Sequence, residues 1–260
     1  DEIELSFNSS YALYDGEYAN NSWLQELPDP ITKLTWDNAL LMNIQMAEKL
    51  NLNNEDLVTI KLNHQEVDLP VFISPTQANQ TMSIAIGYGR KVCGRIAEAD
   101  GDQNQKGFDV YPLLGSKWVE KNPLITPLNK KYKLATTQTH GDMMGRPFIR
   151  KGTVDQYKKE PDFAKKMEEA PHDNSPWAEK KYDTGHQWGM TVDLNQCTSC
   201  NACVTACQAE NNIPIVGKEE VLNGREMHWI RVDRCYEGDQ KNPDNVAYQP
   251  VTCLQCENAP

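Results

Sequence analysis

No run in this 260-residue sequence approaches the roughly 20 consecutive apolar residues that a membrane-spanning helix needs. Basic charge is also short: 26 Lys and Arg stand against 37 Asp and Glu, for a net charge of −11. That balance excludes a nucleic-acid binder, whose phosphates require a basic face, and suits docking to basic partners. The first residues, DEIELSFNSS, have neither a basic n-region nor an apolar h-region, so they are not a secretory signal. They also lack an initiator Met and are expected to be a mature or truncated start. No His-x-x-Glu-His set, paired-carboxylate signature or Ser or Cys nucleophile motif occurs. His64, His140, His172 and His186 lie in turns or irregular stretches without ligand spacing. Chemistry in this chain therefore falls to something other than side-chain acid–base catalysis.

Cysteine is scarce, at eight residues, which is too few for a disulfide scaffold at this length. Six of the eight are clustered. Cys197, Cys200, Cys203 and Cys207 form a C-x2-C-x2-C-x3-C run, and Cys253 and Cys256 form a C-x2-C pair. Clustering of this kind points to metal rather than to crosslinks. The run has the bacterial ferredoxin spacing. Two-residue gaps let the loop from Cys197 to Cys203 wrap three corners of a cubane cluster while its backbone N–H groups point at the sulfurs. The three-residue step places Cys207 on the first turn of a following helix, which carries it towards a second cluster. Zinc is the competing reading, but zinc knots usually show two separated C-x2-C pairs. Disulfides within the run would close rings too short for comfortable geometry. Cys93 and Cys235 stand apart and are expected to be buried or unreactive thiols.

Ligand counting leaves the arrangement unfinished. Three sulfurs serve one cluster, Cys207 needs a partner motif, and Cys253 and Cys256 supply two ligands to a cluster that needs three or four. Placing Cys207 on the first cluster instead gives one complete site and an orphan pair. On either count the sequence is expected to break off within a longer polyferredoxin. A three-iron 3Fe-4S cluster is the alternative to a 4Fe-4S cubane wherever one ligand is missing.

Around the cysteines the fold class reads as α+β. WDNALLMNIQMAEKLNL (36–52) places Leu40, Leu41, Ile44, Ala47 and Leu50 on one helical stripe, with Asp37 or Asn38 as its cap. Alternation over 56–62 and 66–73, separated by a polar turn, predicts a hairpin, and 81–89 predicts a strand ending in Gly87 and Gly89, read as turn glycines. Residues 1–34 read as irregular. The spacing predicts a small β-barrel with a flanking helix over 20–115, an irregular connector over 116–186, and a partial ferredoxin-type domain over 187–260. QWGMTVDLNQC (187–197) and VAYQPV (246–251) read as strands that each feed a cysteine loop, a repeat at the level of motif. MHWIRVDR (227–234) reads as a further strand, with His228 packed within it.

The stretch CTSCNACVTACQAENNIPIVGKEEVLNGREMHWIRVDR, with PVTCLQCENAP, resembles the polyferredoxin-type electron-transfer subunit of complex iron–sulfur molybdoenzymes. Within that group it is most similar to the fused B subunit of bacterial alternative complex III. NNSWLQELPDPITKLTWDNALLMN (20–43) and LPVFISPTQANQTMSIAIGYGR (69–90) resemble the C-terminal barrel of molybdopterin oxidoreductases. The resemblance implies that all six clustered cysteines ligate iron–sulfur clusters and that no molybdopterin is bound, since this complex's domain has lost it. It implies an integral membrane quinol-binding subunit and multihaem cytochrome c subunits as partners. It also implies a peripheral place on the periplasmic side of the bacterial inner membrane. The rival class is a molybdenum-dependent oxidoreductase acting on a small sulfur or oxo compound, with this chain delivering electrons. A third is a zinc-stabilised assembly domain with no redox role.

Overall fold

The computed structural model describes residues 2–91, 94–97, 106–167, 181, 183–186, 189–239 and 241–253. Its main feature is a seven-stranded mixed sheet. The strands are β1 (Glu4–Ser9), β2 (Leu40–Met42), β3 (Asp56–Leu62), β4 (Gln65–Ile73), β5 (Thr81–Ile86), β6 (Val119–Lys121) and β7 (Leu124–Lys131), in the spatial order β6-β1-β5-β2-β4-β3-β7. Period-two burial explains the strands: Leu5 and Phe7 of β1 and Met82, Ile84 and Ile86 of β5 all point into one core. The predicted hairpin is present, with β3 and β4 antiparallel and paired from Leu57–Pro70 to Leu62–Gln65. Its two-residue loop holds Asn63 (φ 50°) and His64 (φ 65°) in the left-handed region, as a tight I′ hairpin turn requires.

The stripe over 36–52 is not one helix. Leu40–Met42 is strand β2, parallel to β4, and only Ile44–Leu50 (α2) is helical. A slot between β4 and β5 overrides the helical pattern of Leu40 and Leu41, because strand pairing satisfies the backbone there. The cap is Asn43, whose Oδ1 accepts the Met46 N–H at 2.8 Å; Asp37 and Asn38 are committed elsewhere. Asn43→Ala is therefore expected to lower stability by about 1–2 kcal/mol, read as a lower urea midpoint with unchanged m-value. Residues 1–34 are not wholly irregular, since β1 pairs parallel with β5, and Ser22–Glu26 forms the short helix α1. Nor does irregular chain begin at residue 116: β6 pairs with β1, and β7 with β3 through a bulge between Asp56 and Val58. The sheet thus extends beyond both ends of 20–115. Later in that segment come two exposed helices, α3 (Val154–Lys159) and α4 (Phe163–Lys166).

The C-terminal part consists of α5 (Ala202–Asn211), α6 (Lys218–Leu222) and an antiparallel pair, β8 (Arg231–Asp239) with β9 (Asn242–Val251). Two strand expectations fail in part. Residues 189–197 form no strand, and Met190, Val192 and Leu194 stay exposed with no neighbouring strand to cover them. The remaining residues of that expectation, 187 and 188, lie outside the described residues. β8 starts at Arg231 rather than Met227. Only the second cysteine segment, two residues beyond β9, is delivered by a strand.

Candidate iron–sulfur site

The first cysteine run occupies a loop followed by α5. An Asx turn opens it: Asp193 accepts the Asn195 N–H through Oδ1 and the Cys197 N–H through its carbonyl, at 2.9 and 3.1 Å. Ser199 (φ 60°) and Asn201 (φ 54°) are both left-handed, one on either side of Cys200. Such reversals turn successive backbone N–H groups to one side of a loop, as a sulfur-binding loop needs. The helix begins at Ala202, so Cys203 already lies in its first turn and Cys207 sits one full turn later on the same face.

The thiols differ in environment. Cys200 is exposed, and the Ala202 N–H together with the Thr198 side chain holds its thiol below the ordinary value. Burial pushes the Cys203 thiol up, and does the same to Cys235 within β8. Asn211 donates through Nδ2 to the Cys207 carbonyl at 3.0 Å and contacts Sγ at 3.5 Å. Cys253 is exposed just past β9, whereas Cys256 and Cys93 lie outside the described residues. Among the described residues no three His, Cys, Asp or Glu side chains converge on a single metal ion. The donor set nevertheless suits a cluster. Two thiols lie on one reversing loop and two on the helix that follows it, a backbone N–H is directed at one sulfur, and the Ser199 Oγ is buried beside them without a partner in the protein.

The loop is fixed from behind by the segment between β1 and β2, which no cysteine pattern would flag. Tyr11 donates its hydroxyl to the Cys200 carbonyl, and Asn201 Nδ2 donates to the Pro28 carbonyl at 2.7 Å. Val204 of α5 packs with Leu27 and Val232. Trp23 Nε1 donates to the Ile213 carbonyl at 2.8 Å. Four buried charges complete the junction. Glu26 accepts the Val216 and Gly217 N–H groups, the latter at 2.8 Å, and its carboxyl is pushed up by burial. Lys33, only 2% exposed, donates to the Val232 carbonyl at 2.6 Å. Asp37 pairs with Lys218 at 2.8 Å. Arg234 donates through Nε to Ile31 and through Nη1 to His140, at 2.8 and 3.0 Å. Each of these charges comes from one part of the chain and binds the other. Glu26, Lys33 and Asp37 leave only a polar composition at 25–38 that surface loops share, and Arg234 a lone charge within 231–239, so pattern reading misses them.

No protein-family profile matches the chain. It is 42% identical over 71 residues to the iron–sulfur cluster-binding subunit of menaquinone reductase from Nitratidesulfovibrio vulgaris, covering 27% of each sequence. It is 36% identical over 77 residues to the B subunit of polysulfide reductase from Wolinella succinogenes, covering 28% of this chain and 34% of the relative. It is also 29% identical over 89 residues to the Hdr-like menaquinol oxidoreductase iron–sulfur subunit 1 of Archaeoglobus fulgidus, at 28% and 31% coverage. The matched stretches thus span about a third or less of these relatives' length. Over that stretch the chain is similar to iron–sulfur subunits of quinone-linked and sulfur-compound reductases.

Proposed function

We propose that this chain holds iron–sulfur clusters through Cys197, Cys200, Cys203, Cys207, Cys253 and Cys256 and passes electrons within a membrane-associated quinol oxidoreductase. The finer reading is alternative complex III. Electrons run from an integral membrane quinol-binding subunit towards multihaem cytochrome c or copper acceptors, on the periplasmic side. In this reading the seven-stranded sheet is the molybdopterin-oxidoreductase-type barrel, and the segment from 187 is a partial ferredoxin domain carrying 4Fe-4S clusters. The observation that carries it is the ferredoxin-spaced run lying on a reversing loop with an N–H directed at Cys200. A bound cluster supplies one-electron oxidation and reduction. The chain's own residues position the thiols, donate hydrogen bonds to sulfur and set the surrounding charge, which tune a potential. No helix of the described residues is long and apolar enough to cross a membrane. The match to the polysulfide reductase subunit favours a second reading, electron delivery within a molybdenum-dependent enzyme.

Low-temperature EPR of the reduced, anaerobically purified complex, with iron, acid-labile sulfide, zinc and molybdenum analysis, tests this. Iron–sulfur signals without molybdenum are expected. Stoichiometric zinc with no iron–sulfur signal would sink both readings, and molybdenum would select the second. Cys203→Ala should remove one cluster's signal and its share of iron while leaving the Asp37–Lys218 junction folded, as circular dichroism would report.

A further inference from the structure

Behind the cysteine loop lies a cavity of about 210 Å³. Asn201 and Val204, the residues following Cys200 and Cys203, form one wall. The facing wall is Glu226, His228, Ile230 and Val232, alternate residues of the segment that enters β8. The opposite parity, Met227 and Trp229, is exposed, so the extended chain turns its even-numbered side chains inward. Lys33 and Gln138 close the third side. Two polar atoms in this wall, His228 Nε2 and Glu226 Oε2, are buried without a hydrogen-bond partner in the protein. Nearly all buried polar atoms find a partner, so two orphans on one cavity call for a reason. A space of this size holds several water molecules, at about 30 Å³ each in the liquid. The Arg231–Asp233 pair, 3.0 Å apart and partly exposed, forms its rim towards solvent.

We infer that this cavity is a redox-linked proton site, in which His228 Nε2 takes up a proton from solvent when an electron enters at the neighbouring cysteine loop. The inference rests on the iron–sulfur reading above. One electron arrives from an external one-electron donor, a redox mediator in the test. One proton leaves water at the rim and binds the lone pair of Nε2. No other bond forms or breaks, and the two added charges cancel. The charged groups facing His228 are Lys33 from the loop before β2, and Glu226, Arg231 and Asp233 from its own segment. α5 and its N-cap offer only Val204 and Asn201, and the chain at 137–138 only neutral side chains. Burial holds the imidazole below 6.5, so it is neutral at neutral pH before the electron arrives. At an effective dielectric near 20, a unit negative charge at a separation of about 10 Å raises a group's proton affinity roughly tenfold.

The test is an EPR-monitored redox titration of the intact complex at a series of pH values. The potential of the cluster on the Cys197–Cys207 run should fall as pH rises, through a window that opens below pH 6.5. The total change should be about tenfold in the reduction equilibrium constant, about 59 mV for one electron. His228→Gln should abolish the slope at and below neutral pH with cluster content unchanged, leaving any contribution of Lys33 near pH 8, and Glu226→Gln should keep it. A cluster signal whose potential is flat at and below neutral pH in the wild type overturns the proton site alone, and so does a slope in that range that survives in His228→Gln. Absence of any cluster signal overturns the electron-transfer reading, and the proton site with it.

Discussion

Asp37→Ala is expected to destabilise the protein by about 3–5 kcal/mol, the range for removing one partner of a buried ion pair. The Asp37 side chain is fully buried, and its partner Lys218 is only 15% exposed. Asp37 Oδ1 also accepts the Gly107 N–H and the Tyr132 hydroxyl, both at 2.8 Å. Burial pushes the Asp37 carboxyl up, while Lys218 and these donors pull it down. The alanine takes the carboxylate from Lys218, whose ammonium keeps its hydrogen bond to the Tyr132 hydroxyl and its place 3.9 Å from that ring's centroid. A cation–π contact of that kind offsets only part of the loss. The pair joins the segment before β2 to α6, so the damage should spread to the whole junction. Urea unfolding measures it. Adding Lys218→Met should recover a large share, because the part-buried ammonium that lost its carboxylate is then gone. A single-variant cost under about 1 kcal/mol would mean that the junction is held by apolar contacts such as those of Trp36 with Val221.

What could be read from the residues, and what could not, divides along a physical line. The cysteine run was legible because ligand spacing is local: four sulfurs within eleven positions constrain a loop whatever surrounds them. The β3–β4 hairpin was legible for the same reason, since alternation and a two-residue turn act between neighbours in sequence. β2 was not, because the helical stripe of Leu40 and Leu41 is overruled by Val71 and Phe72, partners some thirty residues away. β6 and β7 carry few apolar residues, and edge positions let Thr126, Asn129 and Lys130 face water, so neither shows strong alternation. Glu26, Lys33, Asp37 and Arg234 look like surface charges until their partners, about 100 to 200 positions away, come into contact. The candidate site was thus half legible. Its candidate ligands are proposed from spacing, whereas its supporting wall depends on pairings that only the folded chain reveals.

Lys33 gives that wall a measurable pH dependence. Burial, reinforced by the nearby Arg234 guanidinium, lowers its ammonium from 10.5 to about 8, against the pull of Asp29 and Asp233. Below pH 8 both folded and unfolded chains hold the proton, and the folded state bears the full cost of a buried cation. Between about 8 and 10.5 the unfolded chain holds it and the folded chain does not. Proton binding is then greater in the unfolded state, so stability rises with pH across that window. At 1.36 kcal/mol per unit, the rise is on the order of 3 kcal/mol. The buried tyrosine Tyr88, pushed up to about 12, works in the opposite sense, since its folded form keeps a proton that the unfolded chain loses from pH 10. The comparison must therefore be between wild type and Lys33→Met at each pH. Wild type should gain on the variant by about 2–3 kcal/mol between pH 7.5 and 10, measured by urea unfolding. Parallel curves for the two proteins would show that Lys33 reaches water in solution and that the junction behind the cysteine loop is looser than its 2.6 Å contact with Val232 implies.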